Sequence, residues 1–196
     1  MELFFIFIGA ALINNYVLVQ FLGMCPYFGV SKKTETALGM GFAVMFVMML
    51  SSAITFLFYE YVLVPLNITY LRTVVFILII ASIVQFVEVF MKKMLTSLYA
   101  MLGVYLPLIT TNCAIFGVAL INIQNRYSIE GYSFIDSIVS SFGAGAGFTL
   151  AMLLLAGIRE KYENNPDVPE IFNGFPLALF SAGLMSIAFM GFLGLI

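Results

Sequence analysis

Cys25-Pro26-Tyr27-Phe28-Gly29-Val30 returns 88 residues later as Cys113-Ala114-Ile115-Phe116-Gly117-Val118. Both phrases read C-x-x-F-G-V, and they hold the only two cysteines of the chain. Each sits beside signals that interrupt a helix. Gly23 and Pro26 flank Cys25, while Pro107 and the run Thr110-Thr111-Asn112 precede Cys113. Proline lacks a backbone donor and crowds the preceding turn. Asn112 is a good N-cap, so a half-helix can begin beside Cys113 with its positive dipole end towards the thiol.

The surroundings of both phrases are apolar enough for lipid. Of 196 residues, 63% are hydrophobic and only 9% charged, and mean hydropathy is +1.10; a soluble globule is about half apolar and a quarter charged. No charge occurs from Leu3 to Val30, Thr36 to Tyr59, Leu95 to Gln124, Ser137 to Ile158, or Ile171 onward. Roughly 20 apolar residues cross hydrocarbon as a helix, so five spans follow. A sixth, near Arg72–Met91, rests on the apolar run Thr73–Val87, which ends at Glu88 and the pair Lys92-Lys93. The first run has no basic segment before it and is too long for the core of a cleaved signal, so it is expected to persist as a span.

Six of the eight basic residues (Lys32, Lys33, Lys92, Lys93, Arg159, Lys161) fall in the odd connections, and Arg72 and Arg126 in the even ones. Basic loops stay cytoplasmic, which puts both termini outside. A net charge of −2 without a basic patch gives no footing for nucleic acid. The absence of histidine excludes imidazole-ligated haem, histidine metal sites and histidine acid–base chemistry.

Three spans surround each cysteine phrase. The middle span of each half opens on a glycine phrase, Gly39-Met40-Gly41-Phe42 and Gly143-Ala144-Gly145-Ala146-Gly147-Phe148, now offset by 104, as a longer polar loop from Asn122 to Ser133 would require. An odd number of spans per half makes the second half enter from the opposite side. The fold expected is therefore all-α: one polytopic membrane domain over 1–196, with six transmembrane helices as a 3+3 inverted repeat (1–93 and 94–196) and broken first and fourth helices. Gly143 and Gly147 form a G-x-x-x-G step suited to close helix packing. The twelve methionines and 21 phenylalanines read as filler.

Three fates are open to the matched thiols. They are inert small hydrophobes left by a duplication; or they form a disulfide, which needs Cα atoms within about 7 Å; or they ligate a metal. A bare thiolate in hydrocarbon would take up a proton, whereas a metal keeps it ionised. Soft thiolates select iron–sulfur clusters, zinc or Cu(I). A two-iron cluster takes four cysteines and this chain has two, so a cluster would need a second polypeptide. The inverted repeat and broken helices suit a secondary transporter or channel equally, and a scaffold with incidental thiols is the third class.

The phrases Leu22-Gly23-Met24-Cys25, Val30-Ser31-Lys32-Lys33, Leu102-Gly103, Leu106-Pro107-Leu108-Ile109-Thr110, Asn112-Cys113-Ala114-Ile115-Phe116-Gly117 and Leu155-Ala156-Gly157-Ile158-Arg159-Glu160-Lys161 closely resemble the family formed by the A subunit of the Rnf electron-transport complex and the E subunit of the sodium-pumping NADH:quinone reductase. The resemblance runs from the first span to the last. It implies that Cys25 and Cys113 are two ligands of an intramembrane [2Fe–2S] cluster completed by a homologous sister subunit of opposite orientation. It further implies electron flow from reduced ferredoxin to NAD+ coupled to export of sodium ions or protons, neighbouring subunits that carry flavins and further clusters, and residence in the cytoplasmic membrane of a bacterium or archaeon. The equivalent role in the quinone reductase is the alternative.

Hydrocarbon about 30 Å thick is too wide for one useful electron-tunnelling step, so a relay near its middle has a purpose. Reduction would add negative charge in a medium where ions are costly, which favours cation uptake at that moment. Glu88 matches a family glutamate associated with such uptake, although Lys92, four residues on, also makes a helix-end pair with it. Asn14, Asn15, Thr110, Thr111 and Asn112 add oxygen atoms to a possible cation pathway, but polar side chains also glue membrane helices together. The stretch from Arg159 to Glu170 is expected as the longest polar loop.

Overall fold

The computed structural model describes residues 2–66, 68–94, 108–109, 111–128, 132–163 and 174–194. These residues form helices and turns, with no strand among them. The elements are α1 (Glu2–Ile8, prolonged by a π-helical turn Gly9–Ile13), α2 (Met24–Val30), α3 (Thr34–Phe58, prolonged through Tyr59–Leu63), α4 (Arg72–Met94), α5 (Cys113–Ser128), α6 (Phe134–Glu163) and α7 (Phe175–Met190). By length and composition, Thr34–Leu63, Thr69–Phe90 and Phe134–Tyr162 can cross a bilayer, and Leu3–Ile13 and Phe175–Met190 are shorter apolar helices.

The core is the antiparallel pair α3 and α6. A Cβ added at Gly41 would lie 2.5 Å from Thr149 Cγ2, and one at Gly145 would lie 2.7 Å from Met45 Cγ. These two contacts exchange places under the 104-residue offset of the glycine phrases. The glycines do not open their spans, as the sequence suggested, but lie well inside both helices, where the absence of a side chain sets how closely the axes approach. The inner face of α3 mixes small and polar residues with large ones: Gly41, Ser51, Ser52 and Thr55 are buried beside Met40, Met48 and Phe56, whereas Phe42, Phe46, Leu57 and Phe58 are exposed. Lipid chains are as apolar as leucine, so helices associate through small residues and hydrogen bonds, not through greasiness.

Residues 122 to 133, expected as a polar loop, are helical through Ser128. Asn122 reads as polar loop because its partners lie on other helices. Its Nδ2 donates to Ser52 Oγ (2.8 Å) and Ser141 Oγ (2.9 Å), with Ser137 O at 3.3 Å, while Oδ1 accepts from the Tyr132 hydroxyl (3.0 Å). Burial pushes the Tyr132 phenol up to about 12, so it keeps the proton that it donates. Arg126 closes this end of the bundle, donating to Tyr132 O (2.9 Å) and pairing with Glu60 (3.2 Å). Asn122→Ala would take its acceptor from the Tyr132 hydroxyl and cut the link between Ser52 and Ser141, which keep only their bonds to Ser137. At about 1–3 kcal/mol for a buried group left unpaired, we expect a stability loss of ~2–4 kcal/mol, read as a lowered thermal midpoint of the solubilised complex.

Candidate metal centre

The first span breaks over Asn14–Gly23, earlier and more widely than Gly23 and Pro26 alone suggested. Asn15 causes it. Its Oδ1 accepts from the Val17 and Leu18 amides (3.1 and 3.3 Å), a local bond that competes with the helix. Its Nδ2 donates to Ala11 O (3.2 Å) and to Gly147 O on α6 (3.0 Å). Irregular backbone at membrane depth must lie inside protein, and Tyr16, Val17 and Leu18 are buried. Ser186 Oγ on α7 donates to Leu18 O at 2.6 Å. Phe21 and Gly23 then take the left-handed backbone (φ 57° and 79°), and α2 begins at Met24. Pro26 therefore starts a helix and does not break one. It occupies the first turn, where no donor is required.

Cys113 is the first residue of α5, and Asn112 is its cap: the Ala114 N–H donates to Asn112 Oδ1 at 3.0 Å. The two interruptions meet here. The Gly23 N–H donates to Cys113 Sγ at 2.9 Å, and a Cβ on Gly23 would lie 3.0 Å from Ala114 Cβ and 3.1 Å from Asn112 Oδ1. On either side, each half's chain packs on the glycine of the other half's phrase: a Cβ on Gly117 would lie 2.6 Å from Leu22 Cδ1, and one on Gly29 would lie 3.5 Å from Leu108 Cδ2. Two residues of chain reach at most about 7 Å, so Cys25 stays in the neighbourhood of Gly23 and of the sulfur that Gly23 contacts. Both thiols are exposed and free.

Beside Cys113 opens a groove of about 360 Å³ lined by Ile77, Ile80 and Ala81 of α4 and by Thr111, Asn112, Cys113 and Phe116. Asn112 Nδ2 is buried at its edge with no acceptor. Of the other residues considered for cations, Asn14 is exposed, Asn15 is fully buried in the bonds above, and half-buried Glu88 lies two turns along α4 from Ala81, about 10 Å down the helix axis. Thr110 and Pro107 lie outside the described residues. Gly143 and Gly147 accommodate the first helix: Cβ atoms there would lie 2.8 Å from Phe7 O and 2.5 Å from Ala11 O.

The donor set decides what such a patch can hold. A backbone N–H already points at Cys113 Sγ, and the sulfur stands at the N-terminal end of α5. Among the described residues, no three of His, Cys, Asp and Glu gather as a complete metal site. Two outward-facing thiols fit half of a four-thiolate ligand set, with the open side available to another polypeptide.

Residues 3–196 match the family model described as "Rnf-Nqr subunit, membrane protein". The chain is 58% identical over 195 residues, covering 100% of it and 98% of the relative, to the A subunit of the Na(+)-translocating ferredoxin:NAD(+) oxidoreductase complex of Acetobacterium woodii. It is 53% identical, over the same shares, to the A subunits of the ion-translocating oxidoreductase complexes of Syntrophotalea carbinolica and Aeromonas hydrophila. A whole-length match, an all-helical apolar fold and relatives that are subunits of an ion-translocating oxidoreductase agree: this chain belongs to the Rnf-Nqr family of membrane subunits.

Proposed function

We propose that the chain is an electron-relay subunit of an ion-translocating ferredoxin:NAD+ oxidoreductase, in which Cys25 and Cys113 supply two of the four thiolates of a [2Fe–2S] cluster and a homologous sister subunit supplies the others. The observation that supports this is the meeting of the two helix interruptions, where the amide of Gly23, two residues before Cys25, donates to Cys113 Sγ and both thiols are free and exposed. The choice of ferredoxin and NAD+ over NADH and quinone rests on the name of the relative from Acetobacterium woodii. When bound, the cluster supplies a one-electron carrier inside a bilayer about 30 Å thick.

The protein's own residues prepare the site. Asn112 caps α5 and fixes where Cys113 begins; the Gly23 amide compensates charge on its sulfur; Asn15 supplies hydrogen bonds for the backbone freed by the break. The contacts Gly41–Thr149 and Gly145–Met45, which exchange under the 104-residue offset, support a 3+3 inverted repeat of six spans; the basic residues of the odd connections support both termini outside, and the family a bacterial or archaeal cytoplasmic membrane. Export of sodium ions or protons accompanies the electron transfer, in a complex whose other subunits carry flavins and further clusters. The test is an iron and acid-labile sulfide count, with EPR of the reduced state, on this chain alone and with its sister. Two iron atoms per pair and none in the single chain are expected; iron in the single chain, or none in the pair, overturns the reading.

A further inference from the structure

The half-helix that carries Cys25 is poorly equipped to hold itself. It has seven residues, Pro26 and Gly29 among them, and isolated helices shorter than about 12 residues are marginal in water. Its last carbonyls have no partner within the helix. After three intervening residues, α3 starts at Thr34 with Lys33 as N-cap and no side-chain bond from that cap. Both deficits are met from α6 by two consecutive residues. Arg159 Nη1 donates to Phe28 O at 2.9 Å and to Ser31 Oγ at 3.0 Å. Glu160 Oε1 accepts from the Thr34 amide at 3.2 Å and from the Thr34 hydroxyl at 3.0 Å. The cation meets the C-terminal end of one helix and the carboxylate the N-terminal end of the next, which are the signs the helix dipoles favour. Arg159 and Glu160, expected to begin a polar loop, are helical and part-buried instead.

We propose that Arg159 and Glu160 form a clamp that sets where Cys25 stands, with Arg159 as its positioning residue; the inference rests on the reading of Cys25 as a ligand. Phe28 is three residues beyond Cys25, about 4.5 Å along the axis, so a shift at the clamped carbonyl is transmitted directly to the thiol. Cys113 needs no such clamp, since its own helix is capped by Asn112. The helices that carry the two ligands are therefore capped by different means, one by a residue of its own half and one by residues of the opposite half.

The test compares the intact complex with Arg159→Gln, Arg159→Lys and Ser31→Ala variants by hydrogen–deuterium exchange and by maleimide labelling of the iron-depleted protein. Arg159→Gln is expected to speed exchange over 24–31 by about tenfold or more while 113–128 keeps its protection. It is also expected to change the labelling rate of Cys25 relative to Cys113, and to shift the potential of the EPR signal in the loaded complex. Arg159→Lys and Ser31→Ala should fall between it and the parent, since each keeps a charged donor near Phe28 O. Unchanged exchange over 24–31, or equal loss of protection in both segments with a constant labelling ratio, overturns the clamp. If the parent complex holds no iron, the ligand reading fails, yet exchange and labelling still decide whether the clamp exists.

Discussion

Complexes carrying Cys25→Ser or Cys113→Ser are expected to assemble, lose the iron–sulfur centre, and reduce NAD+ from ferredoxin at least about a hundredfold more slowly. Changing an outer-shell partner of a metal ligand already costs about 10–100-fold, so removing a ligand costs more. Serine replaces one atom and leaves the backbone alone. At position 113 its oxygen can still accept the Gly23 N–H that the sulfur accepts at 2.9 Å, and both positions are exposed, so neither change opens a cavity. What is lost is chemical. A soft sulfur suits an iron–sulfur cluster, whereas a serine oxygen is hard. Iron and sulfide content, EPR and turnover would be measured on assembled complex of unchanged subunit composition. A Cys113→Ser complex with a full complement of iron would refute the ligand assignment, and one with no iron but normal turnover would refute the relay.

How much of this can be read without coordinates follows from the kind of contact involved. Local signals are legible: the twin cysteine phrases, the cap at Asn112 and the glycine phrases all lie within a few residues of what they act on. Pro26 misleads because a proline marks a helix start and a helix break with the same letter, and only the left-handed turn at Gly23 tells them apart. Asn122 and Arg159 look like loop residues since polarity in an apolar chain resembles a connection. Their partners, Ser52 and Phe28, lie 70 and 131 residues away. Asn15 attracts notice for its oxygen, yet its amide nitrogen bonds backbone carbonyls on two helices. Hydropathy cannot separate the faces of α3 or α6, because both are apolar and the inner face adds glycine, serine and threonine to buried residues such as Met48 and Phe148.

Valine at Gly147 is expected to cost ~3–5 kcal/mol, combining overpacking with a lost buried hydrogen bond, whereas alanine at Gly157 on the same helix should be neutral or stabilising. The contrast comes from what each glycine faces. A Cβ at 147 would stand 2.5 Å from Ala11 O and 3.1 Å from Ala11 Cα, both backbone atoms that cannot turn aside. The first helix would have to retreat, and Asn15 Nδ2, which reaches Gly147 O at 3.0 Å, would lose that acceptor. Gly143 one turn earlier is also close to backbone, with Phe7 O at 2.8 Å, so the helix cannot pivot about that end. Retreat also loosens the break between Asn15 and Gly23, and with it the amide on Cys113, so iron retention should fall together with stability. At Gly157 nothing lies within 4 Å, and alanine is about 1 kcal/mol better than glycine inside a helix. Thermal midpoints and iron content of the two purified variant complexes would be compared with the parent. Equal tolerance at both positions would mean that the G-x-x-x-G face of α6 is not held against the first helix, and that Asn15 is not what ties the break to the bundle.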